Sequence, residues 1–187
     1  MSRIITAFAG LAIVVASTGC SMMAPKYDPS QNNIQALKDA GNYSAKIGEF
    51  ASKNDPKNAN PISIRGSSLA SPYQASYAIY LSEAIKQELT LAGKFTPNAN
   101  LEITGTLLKN DIDASGFSVG TVIVEARFIV KKDGKTTYDQ VKSINSEFPS
   151  SFAGAVAIPR AVQEYSPTVQ KLLASLYADK AFIDSLK

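Results

Sequence analysis

The chain has a single cysteine, Cys20, and no histidine. One cysteine cannot form a disulfide within the chain. Without histidine, Ser-His-Asp and Cys-His nucleophilic systems and His-containing metal sites are excluded, so we expect no metal and no other cofactor. With 187 residues the chain can bury a normal core, and packing alone must hold the fold together.

The residues before Cys20 have the layout of an export signal. Arg3 is followed by an apolar run from Ile4 to Ala16 and then by the small residues 17–19. An apolar run of this length is too short to span a bilayer as a stable helix, and its flanks are typical of a signal peptide. The sequence therefore predicts a signal peptide over residues 1–19.

Residues 17–20 also resemble the lipobox that the lipoprotein signal peptidase recognises. Thr18 and Gly19 match its small-residue positions and Cys20 matches its lipid acceptor, so the resemblance implies lipidation of Cys20. Ser17 departs from the aliphatic residue expected there, and cleavage nearby by ordinary signal peptidase stays open as an alternative. The lone thiol supports lipidation independently, because an unpaired thiol is reactive in an oxidising compartment and a thioether is not.

Ser21 follows the lipid acceptor. In the sorting rule of Gram-negative lipoproteins, Asp at this position retains the protein in the inner membrane, and Ser permits release to the outer one. The resemblance therefore implies a lipid-anchored protein of the cell envelope, on the periplasmic face of the outer membrane. The membrane itself is then the first expected partner.

Behind the anchor, little pattern is visible over residues 20–42, and we predict a flexible tether there, with one or two turns of helix over Ile34–Ala40. Residues 43–187 are predicted to form one α+β domain. Weak alternation over Tyr43–Ala51 and the apolar residues around Ile62–Arg65 indicate two strands, separated by a loop rich in Asn and Pro.

A helix is predicted next, with Ser71 as its N-cap, Pro72 in its first turn and Gly93 just after its end. All but one of the residues at the spacing of one helical face are apolar, and Glu88 is the exception. The apolar members are Tyr77, Leu81, Ala84, Ile85, Leu89 and Ala92.

Three strands and a second helical region follow. Alternation predicts strands over residues 101–107, 119–131 and 136–148, with a tight Asp133-Gly134 hairpin and a bulge between Tyr138 and Val141. An apolar stripe over residues 161–176 predicts a helix that Pro167 either kinks or restarts, and Asp179 is expected to cap a last short helix. The order of elements favours an α+β fold: an antiparallel sheet of about four or five strands with two main helices on one face.

Two regions are candidate binding sites. Asp111 and Asp113 end a predicted strand, where paired carboxylates are compatible with cation binding or acid–base chemistry, although acidic residues at a solvated strand end are commoner. The small, apolar segment 150–160 contains Ser151, Phe152 and Arg160. Either it is a close-packed crossover, or it binds a partner or lipid, with Arg160 placed for a carboxylate or phosphate.

Residues 62–187 resemble a family of uncharacterised Gram-negative lipoproteins. The resemblance lies in the stretches SSLASPYQASYAIYLSEAIKQELTLAGKF, ITGTLLKNDID and SSFAGAVAIPRAVQEY, and it implies no known activity. More loosely, the layout is similar to small periplasmic lipoproteins that assist envelope assembly and transport. These include the lipopolysaccharide-assembly lipoprotein and the auxiliary lipoproteins of ABC-type transporters.

The charge balance, 19 Lys and Arg against 16 Asp and Glu without a basic cluster, argues against nucleic-acid binding. We therefore expect a non-enzymatic envelope module that binds a protein or lipid partner. Two alternatives stay open: a cell-wall glycan hydrolase that uses Asp111 and Asp113, and a purely structural envelope protein.

Overall fold

The computed structural model describes residues 21–187, so the predicted signal peptide and Cys20 lie outside the described residues. Over this range the chain has the α+β fold that the sequence predicts. Its elements are β1 (Ser21–Met23), α1 (Gln31–Asp39), β2 (Ala45–Ser52), β3 (Ile62–Ile64), β4 (Ser67–Ala70), α2 (Tyr77–Leu91), β5 (Leu101–Asp113), β6 (Val119–Lys132), β7 (Lys135–Pro149), α3 (Gly154–Tyr177) and α4 (Lys180–Ser185).

Four strands form the main sheet in the order β2-β5-β6-β7, and α2 and α3 pack against it. Strands β5, β6 and β7 are antiparallel, but β2 runs parallel to β5. A second, three-stranded sheet has the order β1-β4-β3. The prediction of an antiparallel sheet of four or five strands is confirmed for most of this sheet, whereas the parallel direction of β2 and the second sheet were not predicted. The chain crosses over through β3, β4 and α2 between β2 and β5, and such a crossover allows the strand to return in the same direction.

Alternation along β6 is confirmed by burial. The residues predicted to share one side are all buried in the core: Val122, Val124, Ala126, Phe128 and Val130. The Asp133-Gly134 turn is also confirmed, since both residues have the positive φ angles, 50° and 78°, of a tight hairpin.

The irregularity in β7 lies earlier than predicted. Val130 pairs with Tyr138 while Lys131 pairs with Thr136, so the extra residue is Thr137. Val141 keeps the regular alternation and lies on the outer face of the sheet, 49% exposed. The predicted break between Tyr138 and Val141 is wrong because single apolar residues are common on protein surfaces.

Helix α2 begins later than predicted. The Ser71 hydroxyl accepts a hydrogen bond from the Tyr73 amide, 3.2 Å away, in a local turn. The chain then passes through the left-handed region at Gln74 and Ala75 before Ser76 caps the helix by accepting from the Ile79 amide. Ser71 is therefore a turn residue and not the N-cap.

The C-terminal region forms one long helix, α3, which continues through Pro167. Ser166 caps no helix there; its hydroxyl accepts a hydrogen bond from the Asp28 amide at 3.3 Å. Asp179 does cap α4, as predicted, by accepting from the Ala181 amide at 2.8 Å. No helix within residues 21–187 is both long and apolar enough to cross a bilayer.

The predicted tether is wrong over its described part, residues 21–42. These residues form β1 and α1, and Tyr27, Ile34 and Leu37 are buried in the common core. Sequence reasoning missed this because each element buries only a few side chains and shows little periodicity. The folded body therefore includes the segment directly after Cys20.

Glu88, the exception on the apolar face of α2, is the residue that binds this N-terminal segment. Its Oε1 atom accepts hydrogen bonds from the Tyr27 hydroxyl at 2.6 Å, the Ser30 amide at 3.1 Å and the Asn33 side-chain amide at 3.1 Å. Its Oε2 atom and the Tyr177 hydroxyl are both buried without a hydrogen-bond partner. Burial raises the pKa of Glu88, although these hydrogen bonds oppose the shift.

Substitution of Glu88 by alanine should weaken this junction. It leaves three donors of the N-terminal segment without their acceptor, two of them from buried side chains, and we expect a loss of about 2–4 kcal/mol in the free energy of unfolding. Urea denaturation of the purified protein measures the loss. Glu83→Ala, on the wet side of the same helix, is the matched control and should change stability by less than about 0.5 kcal/mol.

The raised pKa of Glu88 also predicts a pH dependence. In the unfolded chain the carboxyl ionises near its ordinary value of 4.5, whereas in the folded protein it stays protonated to higher pH. The stabilisation from Glu88 is therefore complete below that value and is lost as pH rises through the folded pKa. The stability of the native chain minus that of Glu88→Gln should fall over this window, and a flat difference would contradict the assignment.

Candidate functional site

Three connections meet at one end of the molecule: the β3–β4 turn at Arg65-Gly66, the β5–β6 loop over residues 114–118, and the β7–α3 loop over residues 150–153. We call this region the loop end. It contains Ser151 and Phe152 from the predicted binding segment, and it adjoins Asp113 at the end of β5.

Arg65 joins the three connections. Its guanidinium donates hydrogen bonds to the carbonyl oxygens of Ala114 at 2.6 Å and Gly116 at 3.4 Å in one loop. In the other loop it donates to those of Ser151 and Phe152, both at 2.8 Å. Because the five donors of arginine point in fixed directions, one side chain can hold both loops in register.

Sequence reasoning missed Arg65 because it placed that residue at the end of a strand. Arg65 and Gly66 are instead the two turn residues of the β3–β4 hairpin, with φ angles of 48° and 81°. The Gly after Arg65 is a local signal for such a turn. No local signal reveals its acceptors, which lie 49 to 87 residues further along the chain.

The two loops present a pair of exposed aromatic rings. Phe117 and Phe152 are 77% and 78% exposed, and their rings stack nearly parallel with centroids 5.6 Å apart. Val119, two residues after Phe117, and Val156, one helical turn after Phe152, are 48% and 41% exposed. We call these four residues the aromatic patch. Apolar residues that cluster on a surface, unlike single ones, mark interaction sites.

The segment 150–160 is partly buried and partly exposed. Ser150 and Ala157 are buried, as a packed crossover requires, whereas Phe152 points into solvent. Ser151 is partly buried, and its hydroxyl accepts a hydrogen bond from the Ala153 amide at 3.2 Å. Arg160 is exposed on α3, and its guanidinium donates to the Pro149 carbonyl at 3.4 Å.

Asp111 and Asp113 lie on the exposed face of β5, opposite Ile123 and Thr121 of β6. Hydrogen bonds from Ser115, with a smaller effect of the Arg65 charge, lower the pKa of Asp113. A glycan hydrolase pairs a general acid, whose carboxyl pKa is raised, with an ionised carboxylate, so the lowered pKa suits Asp113 only to the second of these roles. Within residues 21–187 no three Asp, Glu, Cys or His side chains form a group that could hold a metal ion.

The described chain also starts close to the loop end. Strand β1 runs parallel to β4, with Ser21 opposite Ser68 and Met23 opposite Ala70. In the β3–β4 hairpin, Ser67 pairs with Ile64 across the Arg65-Gly66 turn. Ser21, the residue after Cys20, therefore lies toward the turn from which Arg65 reaches both loops.

Comparison with known proteins supports the fold and assigns no function. No family model matches the chain, and no curated protein matches it significantly. The chain is similar in structure to protein XCC0632 of Xanthomonas campestris, from family DUF330, with 12% identity and a TM-score of 0.55. This match covers 84% of the chain and 94% of XCC0632.

Two further solved structures are similar in outline. An uncharacterized protein matches with 12% identity and a TM-score of 0.51 over 86% of this chain and 97% of that protein. A candidate lipoprotein from Caulobacter crescentus CB15 matches with 10% identity and a TM-score of 0.45, over 81% and 93% of the two chains, a likeness too small to carry an argument. At these identities the likeness to XCC0632 and the uncharacterized protein concerns the fold alone.

Substitution of Arg65 by methionine should loosen the loop end. It removes charge-assisted hydrogen bonds to four carbonyl groups that are partly hydrated, so we expect a stability loss of about 1–2 kcal/mol. We also expect faster hydrogen exchange at the amides of both loops, which mass spectrometry can measure. Arg127→Met is the control, because Arg127 pairs with Asp139 on the solvent-exposed sheet face and should contribute less to stability than Arg65 does.

Proposed function

We propose that this protein is a lipid-anchored component of the bacterial cell envelope, held to a membrane by acyl chains on Cys20. We further propose that its folded body binds a partner without catalysing a reaction. The outer membrane, facing the periplasm, is the proposed location.

The lipobox-like sequence carries the proposal of an anchor. An apolar run of signal-peptide length ends in Thr18-Gly19-Cys20, and Cys20 is the only thiol of the chain. Lipid on the sulfur and on the new amino terminus would provide several acyl chains, whereas one acyl chain alone gives only marginal, reversible membrane binding. The location in the outer membrane rests on Ser21 and the sorting rule for Gram-negative lipoproteins.

The course of the chain after Cys20 supports the same proposal. Because Ser21 is already paired with Ser68 in β1, a lipid on the preceding residue would hold the body directly against the membrane surface. A protein anchored in this way needs no long spacer. The loop end would then be the part of the body nearest the bilayer.

The proposal of binding over catalysis rests on the chemistry of the side chains. The sequence has no histidine to serve as a general base, and the lowered pKa of Asp113 does not suit it to be the general acid of a glycan hydrolase. The aromatic patch, by contrast, has the composition of a contact surface. A partner that is apolar, or has an apolar surface, fits it best.

The anchor can be tested in the full chain expressed in a Gram-negative bacterium. Mass spectrometry of the purified protein should show a mature amino terminus at Cys20 carrying added acyl mass, and the protein should enter the detergent phase on partitioning. Cys20→Ala should abolish both results. A mature protein that starts elsewhere or lacks acyl mass would refute the anchor.

The sorting residue offers a separate test of location. Native protein is expected in outer-membrane fractions, and Ser21→Asp should shift it to the inner membrane without changing its acyl mass. Ser21→Ala is the matched control and should leave the distribution unchanged. If both variants fractionate alike, Ser21 does not determine the location.

A further inference from the structure

We infer that the aromatic patch is a second membrane contact, which inserts Phe117 and Phe152 into the surface of the bilayer that carries the anchor. The body would then stand on the membrane in one fixed orientation. This inference rests on the proposed anchor at Cys20.

The start of the described chain lies near the aromatic patch. Paired strands lie roughly 5 Å apart, so Ser21 is about that far from Ser68, and Arg65 is three residues further along the hairpin, or roughly 10 Å. The Arg65 guanidinium contacts both loops that carry the patch. Ser21 therefore lies within roughly 25 Å of the loops that carry the patch, well under the roughly 40 Å diameter expected for a body of this size.

The exposed side chains of the aromatic patch are all apolar. Phe117 and Phe152 lie at the tips of two loops, more than three-quarters exposed, and are flanked by exposed Val119 and Val156. Leaving four such side chains in water is unfavourable, and apolar aromatic side chains near an anchor gain most at the boundary between headgroups and acyl chains. A lipid surface satisfies them without requiring a complementary shape.

The aromatic patch is held rigidly by contacts within the loop end. The two rings stack on each other, and Arg65 fixes both loops through their carbonyl groups. The patch is therefore preorganised, so little conformational entropy is lost when it enters the membrane. Because the anchor and the patch are separate points at the same end, together they restrict the tilt of the body.

The absence of tryptophan from the sequence permits a direct test in the full chain. Phe117→Trp places one indole in the patch, at an exposed site that tolerates it. Leu91→Trp is the matched control, because Leu91 is also exposed, at 55%, but lies at the far end of α2. That end of α2 adjoins the start of β2, and β5 starts beside β2. From there β5 runs for 13 residues, roughly 40 Å, before it reaches the loop end.

Each acylated variant is reconstituted into phosphatidylcholine vesicles with brominated acyl chains. We expect a blue shift and strong quenching of the indole at position 117, and neither effect at position 91. Equal quenching at both positions, or none at position 117, would overturn the inference. If the indole at 117 is shielded from aqueous iodide only in native envelopes and never in pure lipid, the patch binds a protein and the lipid contact is refuted.

A second substitution tests the size of the effect. In the Phe117→Trp background, Phe152→Ser should lower the ratio of docked to undocked protein roughly tenfold, since it removes one buried phenyl group. Val141→Ser, at an exposed apolar position of β7, should leave that ratio unchanged. Acyl mass on Cys20 is measured on the same samples: its absence refutes the anchor, whereas acylated protein with an unquenched indole refutes the lipid contact alone.

Discussion

The parallel pairing of β1 with β4 determines how the rest of the molecule relates to its amino terminus. A free segment after Cys20 would allow the body any orientation and any height above a membrane. Three paired residues, Ser21 to Met23, and the buried side chains of Ala24 and Tyr27 remove that freedom. Residues 21–27 are therefore part of the folded body, and the position of Ser21 on that body is fixed.

Two polar side chains hold this arrangement together, and both act over long sequence separations. Glu88 accepts hydrogen bonds from residues 27–33, and Arg65 donates hydrogen bonds to carbonyl groups of two loops. In a chain without disulfides, such hydrogen bonds supplement the strand pairing and apolar burial that order the terminal segment. Such bonds are directional, so they specify register as well as adding stability.

The sequence predicted those parts of the fold that local periodicity specifies. The buried face of β6, the apolar face of α2 and the Asp133-Gly134 turn each follow from residues within one element. Strands β1 and β4 were missed, and α1 was predicted only as one or two turns of helix, because these elements are short and take their stability from contacts elsewhere. The parallel pairing of β2 with β5 was missed for a similar reason, since no pattern within either strand records the direction of its neighbour. In the candidate site, the segment containing Phe152 was recognised, but Phe117 and Arg65 were not.

What the sequence determined by itself is a set of local statements: a signal-like amino terminus with one cysteine, the turns, the alternation of strands and the faces of the helices. What only the tertiary structure decided is which distant residues meet. Phe117 and Phe152 come from different loops and form one surface only because β6 and β7 pair in a particular register and Arg65 holds their ends. Local propensities act over a few residues, whereas such meetings depend on the packing of the whole chain, and that packing brings the aromatic patch to the end where the described chain begins.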